Sequence, residues 1–174
     1  MIHPASERVT LVQVGVIGPG AGDVTATQYD LARQVGVLVV RAGGQVVCGG
    51  LGGVMEGVAR GVREAGGTCV GVLPGHGRAE GNRYLSVAIC AGVGQKRNEM
   101  VVDSSDAIVV IGSNEGTLIE VLLAKRAGVA VFGLDWSPVG VAEQRIDGVV
   151  VVADPADAVA GAVAAARARV VRSR

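Results

Sequence analysis

The chain has 174 residues, enough for one domain with a full core, and 49% of them are apolar although Phe132, Trp136, Tyr29 and Tyr84 are its only aromatics. Basic and acidic residues balance at 16 each, so no net field draws the chain to a nucleic-acid backbone. No run approaches the roughly 18 uninterrupted apolar residues of a membrane span, and residues 1–8 contain no apolar core of signal-peptide type.

In chain order, Leu11–Ile17 is a near-continuous apolar run that reads as a strand buried on both faces, ending in Gly18-Pro19-Gly20. Helical spacing follows from Thr25 to Val40 and stops at Ala42-Gly43-Gly44. Gln45–Cys48 is a short strand ending in Gly49-Gly50, and Gly53 to Ala65 is a helix closed by Gly66-Gly67. The next strand is Thr68–Leu73, followed by a polar, glycine-rich surface loop from Gly75 to Arg83 and a short strand, Leu85–Cys90. A helix from Gly94 to Ser104 leads through Asp106 to the strand Ala107–Ile111. The helix Thr117–Arg126, the strands Val129–Leu134 and Gly148–Val152, and a helix from Pro155 to about Val171 complete the chain.

Strands and helices alternate with short connections. That pattern predicts an α/β domain with a doubly wound, mainly parallel sheet, helices on both faces and three layers. Residues 1–174 read as one domain, with 1–8 and 172–174 as loose termini. The basic run Arg167, Arg169, Arg172 and Arg174 is the solvated end of the last helix. Cys48, Cys69 and Cys90 form no C-x-x-C pair and lie in or beside apolar runs, so buried free thiols and a cytoplasmic location are expected.

In an open parallel sheet, ligands bind beyond the carboxyl ends of the strands. Three strand-to-helix turns are rich in glycine there: Gly18-Pro19-Gly20-Ala21-Gly22, Gly49-Gly50-Leu51-Gly52-Gly53, and Gly112-Ser113-Asn114-Glu115-Gly116-Thr117. Glycine allows close backbone approach, and each following helix offers unpaired N–H groups and the positive end of its dipole. The candidate phosphate contacts are Gly18, Gly20, Gly49, Gly50, Gly53, Ser113, Asn114, Gly116 and Thr117. The dinucleotide fingerprint is missing: Asp23 replaces its last glycine, and no acidic residue ends the second strand. The Walker pattern is missing too. No cofactor of the protein's own is expected.

Two charged residues stand out. Thr117-Leu118-Ile119-Glu120 fits a capping box with Thr117 as N-cap, yet Glu120 also suits a carboxylate facing the crevice. Arg97 opens a helix whose dipole it opposes, which calls for another reason such as an anionic ligand; the plain alternative is a solvated arginine or a salt bridge to Glu99 or Asp103. His3 and His76 are too far apart to suggest a metal site, and no metal is expected.

These residues resemble a known family. Val47–Glu56, Gly61–Pro74, Arg97-Asn98, Asp106 and Glu115–Glu120 are similar to the LOG-like (LONELY GUY, "lysine decarboxylase-like") superfamily over about Val14 to Leu134. The closest similarity is to its bacterial Rossmann-like nucleotide-binding branch, related to the molybdenum cofactor carrier proteins and, more remotely, to DprA. The family signature is an Arg followed by P-G-G-x-G-T-x-x-E. Arg97 matches the Arg, and Gly116, Thr117 and Glu120 match the end of the second motif. Gly112-Ser113-Asn114 replaces P-G-G, and Asn98 replaces the Lys after the Arg.

The resemblance implies hydrolysis of a nucleoside 5′-monophosphate to free base and ribose 5-phosphate, with Arg97 and Glu120 as the catalytic pair. The alternative is a non-catalytic carrier or sensor of a phosphorylated ligand such as molybdenum cofactor. The expected ligand is small, phosphorylated and AMP-like, with neither nucleic acid nor membrane as partner. Apolar helices are expected at Val54–Val62 and Leu118–Ala127 with more hydrophobic surface than one sheet face covers, which, with the resemblance, points to a homodimer.

Overall fold

The computed structural model describes residues 11–137, 140–141, 144–145 and 147–172. The strands are β1 (Gln13–Ile17), β2 (Gln45–Cys48), β3 (Cys69–Leu73), β4 (Val87–Cys90), β5 (Ala107–Ile111), β6 (Ala130–Leu134), β7 (Gly140–Val141), β8 (Gln144–Arg145) and β9 (Val149–Val151). The helices are α1 (Ala26–Arg41), α2 (Val54–Glu64), α3 (Arg97–Asp103), α4 (Glu115–Arg126) and α5 (Pro155–Arg172). The expected loose segment 1–8 and residues 173–174 lie outside the described residues, whereas Arg172 is still helical.

Seven strands form one parallel sheet in the order β4-β3-β2-β1-β5-β6-β9, and β7 and β8 make a separate antiparallel pair. The apolar runs make this sheet because strands covered on both faces need no polar alternation. All of β5 and all of β1 after Gln13 are buried. One face packs on α1, α2 and α5 through residues such as Val14, Val16, Val35, Val58 and Val163. The other packs on α3 and α4 through Ile17, Val72, Val101, Ile108, Val110 and Val121. These are the three predicted layers.

From β1 the chain winds outward through β2, β3 and β4, then returns to place β5 on the other side of β1. The reversal lies between β1 and β5, whose register runs from Val14 opposite Ala107 to Ile17 opposite Val110. At such a switch point the two outgoing connections part and leave a crevice beyond the strand ends.

Three details differ from the sequence reading. The segment expected as one helix from Gly94 begins as a 3₁₀ turn, Gly94–Lys96, and becomes α-helical only at Arg97. Cys48 and Cys69 are buried free thiols with their Sγ atoms 3.9 Å apart, whereas Cys90 is only half-buried on the edge strand. Finally, α2 has no surplus apolar surface. Its Val54, Met55, Val58 and Val62 are all buried within the chain, because Gly57 and Gly61 let it close on α1. A Cβ on Gly61 would sit 1.9 Å from Arg33 O, and one on Gly57 would sit 2.6 Å from Tyr29 O. Apolar surface does remain on the opposite face, where Met100 of α3 and Ile119 and Leu122 of α4 are exposed.

Candidate functional site

The three glycine-rich turns follow β1, β2 and β5, which are neighbours in the sheet, so they meet at the switch point. Gly18 shows how tightly they meet. A Cβ there would be 2.5 Å from Ile111 O and 2.8 Å from the methyl groups of Val54. The Val54 N–H donates to Pro19 O at 3.0 Å, tying the start of α2 to the first turn.

A cavity of about 190 Å³ opens between these turns. Of the residues expected at the site, Gly18, Gly20, Gly49, Asn114, Gly116, Thr117, Arg97 and Glu120 line it. Gly50, Gly53 and Ser113 do not. Gly50 is turned the other way and its carbonyl accepts from the Asn82 N–H at 2.9 Å, while Gly53 takes a positive φ of 70° against Pro19 and Gly20. Both shape the turn rather than face the cavity. Sequence reasoning missed Val16, Ile17, Leu51, Met55, Gln95 and Asn98 as lining residues. Asn98 alone carried a signal, since it follows Arg97 directly.

The guanidinium of Arg97 reaches from the first turn of α3 to the end of β2. It has that room because residue 49 is glycine: a Cβ there would lie 2.5 Å from Arg97 Nη2 and 2.7 Å from Met55 Sδ. Arg97 Nη1 lies 3.5 Å from Glu120 Oε1 and also donates to Asn98 Oδ1. The partner is therefore Glu120, neither of the acidic neighbours on its own helix. Arg97 Nε is buried without a hydrogen-bond partner among the described residues.

Glu120 does not close a capping box. The N-cap of α4 is Asn114, three residues before Thr117, and its Oδ1 accepts the Thr117 N–H at 2.9 Å. Thr117 Oγ1 donates to the same oxygen at 2.8 Å. The shift places Thr117 inside the first turn and Glu120 in the second, pointing into the cavity.

Both members of the pair are almost wholly buried, Arg97 at 4% exposure and Glu120 at 8%. Loss of hydration pushes the Glu120 carboxyl up to about 7, and the positive charge of Arg97 offsets only part of that. Burial likewise lowers Arg97, with Glu120 opposing the shift, but a guanidinium has ample margin to remain charged. Near neutral pH the carboxyl exists in both protonation states, so it can accept or donate a proton without a large change in driving force.

His76 packs against Gly92 and does not line the cavity. Among the described residues no three His, Cys, Asp or Glu side chains gather as metal ligands, and no helix is long and apolar enough to cross a membrane.

The fold and this cavity define a Rossmann-like α/β domain with a buried Arg–Glu pair at its switch point. The chain belongs to the SLOG cluster4 family, whose model matches residues 11–159. It is 38% identical to an uncharacterised protein of Archaeoglobus fulgidus over 124 residues, 71% of this chain and 80% of that one. Two solved structures are similar. The molybdenum cofactor carrier protein of Chlamydomonas reinhardtii is 33% identical, covering 91% of this chain and 99% of its own, with a TM-score of 0.80. The molybdenum cofactor binding protein of Rippkaea orientalis is 34% identical, covering 74% and 79%, with a TM-score of 0.72.

Proposed function

We propose that this protein binds and carries a small phosphorylated ligand with a heterocyclic ring, molybdenum cofactor being the leading specific case. The observation that carries the reading is the buried guanidinium of Arg97, with an unpartnered Nε, facing a cavity bordered by glycine turns and the first turn of α4. A desolvated cation with spare donor capacity suits an anionic group, and charge-assisted hydrogen bonds are the strong ones. At about 190 Å³ the cavity is smaller than the roughly 300–1,000 Å³ of sites that enclose a whole ligand. It suits the phosphate and adjoining atoms of a ligand whose remainder lies along the open rim. The likeness to a molybdenum cofactor carrier protein and a molybdenum cofactor binding protein supports a binding role.

A second reading, hydrolysis of a nucleoside 5′-monophosphate, has its own observation in the Arg97–Glu120 pair. As an N-glycosidic bond breaks, positive charge grows on the ribose. A carboxylate beside the ring stabilises that charge and orients water. Glu120 would take this role in its ionised form, while Arg97 held the phosphate or assisted the departing base. Gly18, Gly20, Gly49, Gly116 and Thr117 serve the ligand in either reading.

One experiment separates the two. The purified protein is incubated with a panel of nucleoside monophosphates and, separately, with molybdenum cofactor, and both bound and released compounds are identified by mass spectrometry. Retention of intact ligand without turnover supports the carrier. Release of free base and ribose 5-phosphate, abolished in Glu120→Gln, supports the hydrolase and overturns the carrier reading.

The exposed Met100, Ile119 and Leu122 support a homodimer formed through the α3–α4 face. On the same side, Val87 and Ile89 of the edge strand are also exposed, opposite Val70 and Val72 in register.

A further inference from the structure

The α4 N-terminus opens onto the cavity through Asn114, Gly116 and Thr117. Its unpaired N–H groups and dipole are the usual seat for a phosphate oxygen. Here part of that seat is occupied from within. Asn114 Oδ1 accepts both the Thr117 N–H and the Thr117 hydroxyl, at 2.9 and 2.8 Å. The other end of the same amide is held as well, since Asn114 Nδ2 donates to Asp23 Oδ2 at 3.2 Å. One side chain thus bridges the β5–α4 turn and the β1–α1 turn.

Resting on the reading that the cavity receives a phosphate, we propose that Asn114 is an intramolecular plug that competes with the ligand's phosphate for the α4 N-terminus and so sets the site's selectivity. One feature independent of the cap points to an anion in this cavity. Arg97, a buried cation whose Nε has no hydrogen-bond partner among the described residues, lines it together with Asn114, Gly116 and Thr117. The Asp23 carboxylate holds the plug from the β1–α1 turn and adds negative charge beside it, which disfavours a dianion while the plug is in place. To use the Thr117 N–H and hydroxyl, a phosphate must displace Asn114 Oδ1, which the bond to Asp23 helps to hold in place. A ligand lacking phosphate meets no such competition. The plug therefore weakens phosphate-only ligands and favours those whose remaining atoms contribute enough binding to displace it.

The test uses two substitutions. Asn114 sits at φ −147°, an extended conformation open to any residue, so neither strains the backbone. Asn114→Gly removes the plug, and glycine is a tolerable N-cap. Asn114→Ser retains a capping oxygen and controls for helix stability. Binding of inorganic phosphate, AMP and adenosine to wild type and both variants is followed by isothermal titration and by the amide resonances of Gly116 and Thr117.

Asn114→Gly is expected to bind phosphate and AMP about tenfold more tightly, since one competing capping interaction is removed. Adenosine affinity stays unchanged, and Asn114→Ser remains within about twofold of wild type. Unchanged or weaker phosphate and AMP binding in Asn114→Gly overturns the plug, as does a serine variant that binds as tightly as the glycine one. Tighter phosphate binding in Asn114→Gly with no AMP binding in any form supports the plug and removes the nucleotide reading alone.

Discussion

Arg97 and Glu120 meet at 3.5 Å inside the cavity although they belong to different helices, and each is withdrawn almost completely from solvent. A carboxylate beside a guanidinium ordinarily ionises more easily, but here burial outweighs attraction and Glu120 shifts upward. The cause is the loss of hydration, and Arg97 Nη1 approaches the carboxylate only to 3.5 Å, longer than a good charge-assisted hydrogen bond.

That shift makes stability depend on pH in a defined window. Below about 4.5, the ordinary value, the carboxyl is neutral in folded and unfolded chains alike. From there to about 7 the unfolded chain ionises first, so the folded chain binds the extra proton and stability falls as pH rises. Above that window both forms are ionised and the contribution is constant. The stability of wild type minus that of Glu120→Gln is expected to decline by roughly 3 kcal/mol across the window. Urea unfolding at several pH values checks this, and a flat difference would mean that Glu120 ionises as in water.

Gly49 is expected to control ligand binding without touching the fold. Alanine there would press its Cβ against Arg97 Nη2, 2.5 Å away, and Met55 Sδ, 2.7 Å away. Both neighbours are ends of flexible side chains, so the guanidinium moves rather than the strand. Gly49→Ala should lower affinity for the phosphorylated ligand about tenfold, as one charge-assisted contact is lost. Isothermal titration measures the loss, and thermal unfolding should show little change.

Gly61 is expected to behave in the opposite way. An alanine Cβ would lie 1.9 Å from the backbone oxygen of Arg33, which no rotamer change can relieve. The two helices must separate, at a cost of about 1–3 kcal/mol or more. Gly22→Ala is the control, because nothing lies within 4 Å of its Cβ, and it should stay within about 0.5 kcal/mol of wild type. Denaturant midpoints compare the two.

The proposed homodimer is tested at Leu122, which is 47% exposed on α4 and does not line the cavity. Leu122→Glu places a charge in the proposed interface, where an unpaired buried charge is costly. Light scattering after size exclusion should then give a dimer for wild type and a monomer for the variant. A wild-type monomer removes the proposal.

Much of the fold was legible in the sequence because it depends on local chemistry. Apolar runs such as Ala107–Ile111 cannot remain exposed, and glycines after β1, β2 and β5 end strands wherever the chain folds back. Alternation of these runs with helices then leaves a parallel sheet with crossovers as the simplest arrangement. Even the site's edge followed, since turns after neighbouring parallel strands share one end of the sheet.

What the sequence left undecided were choices between partners equally near in the chain or equally suited in chemistry. Thr117-x-x-Glu120 satisfies a capping box on spacing alone. The path out of β5, through Gly112 at φ 65°, starts the helix earlier and hands the cap to Asn114. Arg97 has Glu99 and Asp103 on its own helix, yet packing of α3 beside α4 gives it Glu120 instead. The surplus apolar surface expected of α2 vanished for a similar reason, because the value of Gly57 and Gly61 appears only when α1 lies against them. Strand ends are set by neighbours along the chain, whereas caps, ion pairs and helix contacts are settled by which surfaces the finished sheet brings within reach.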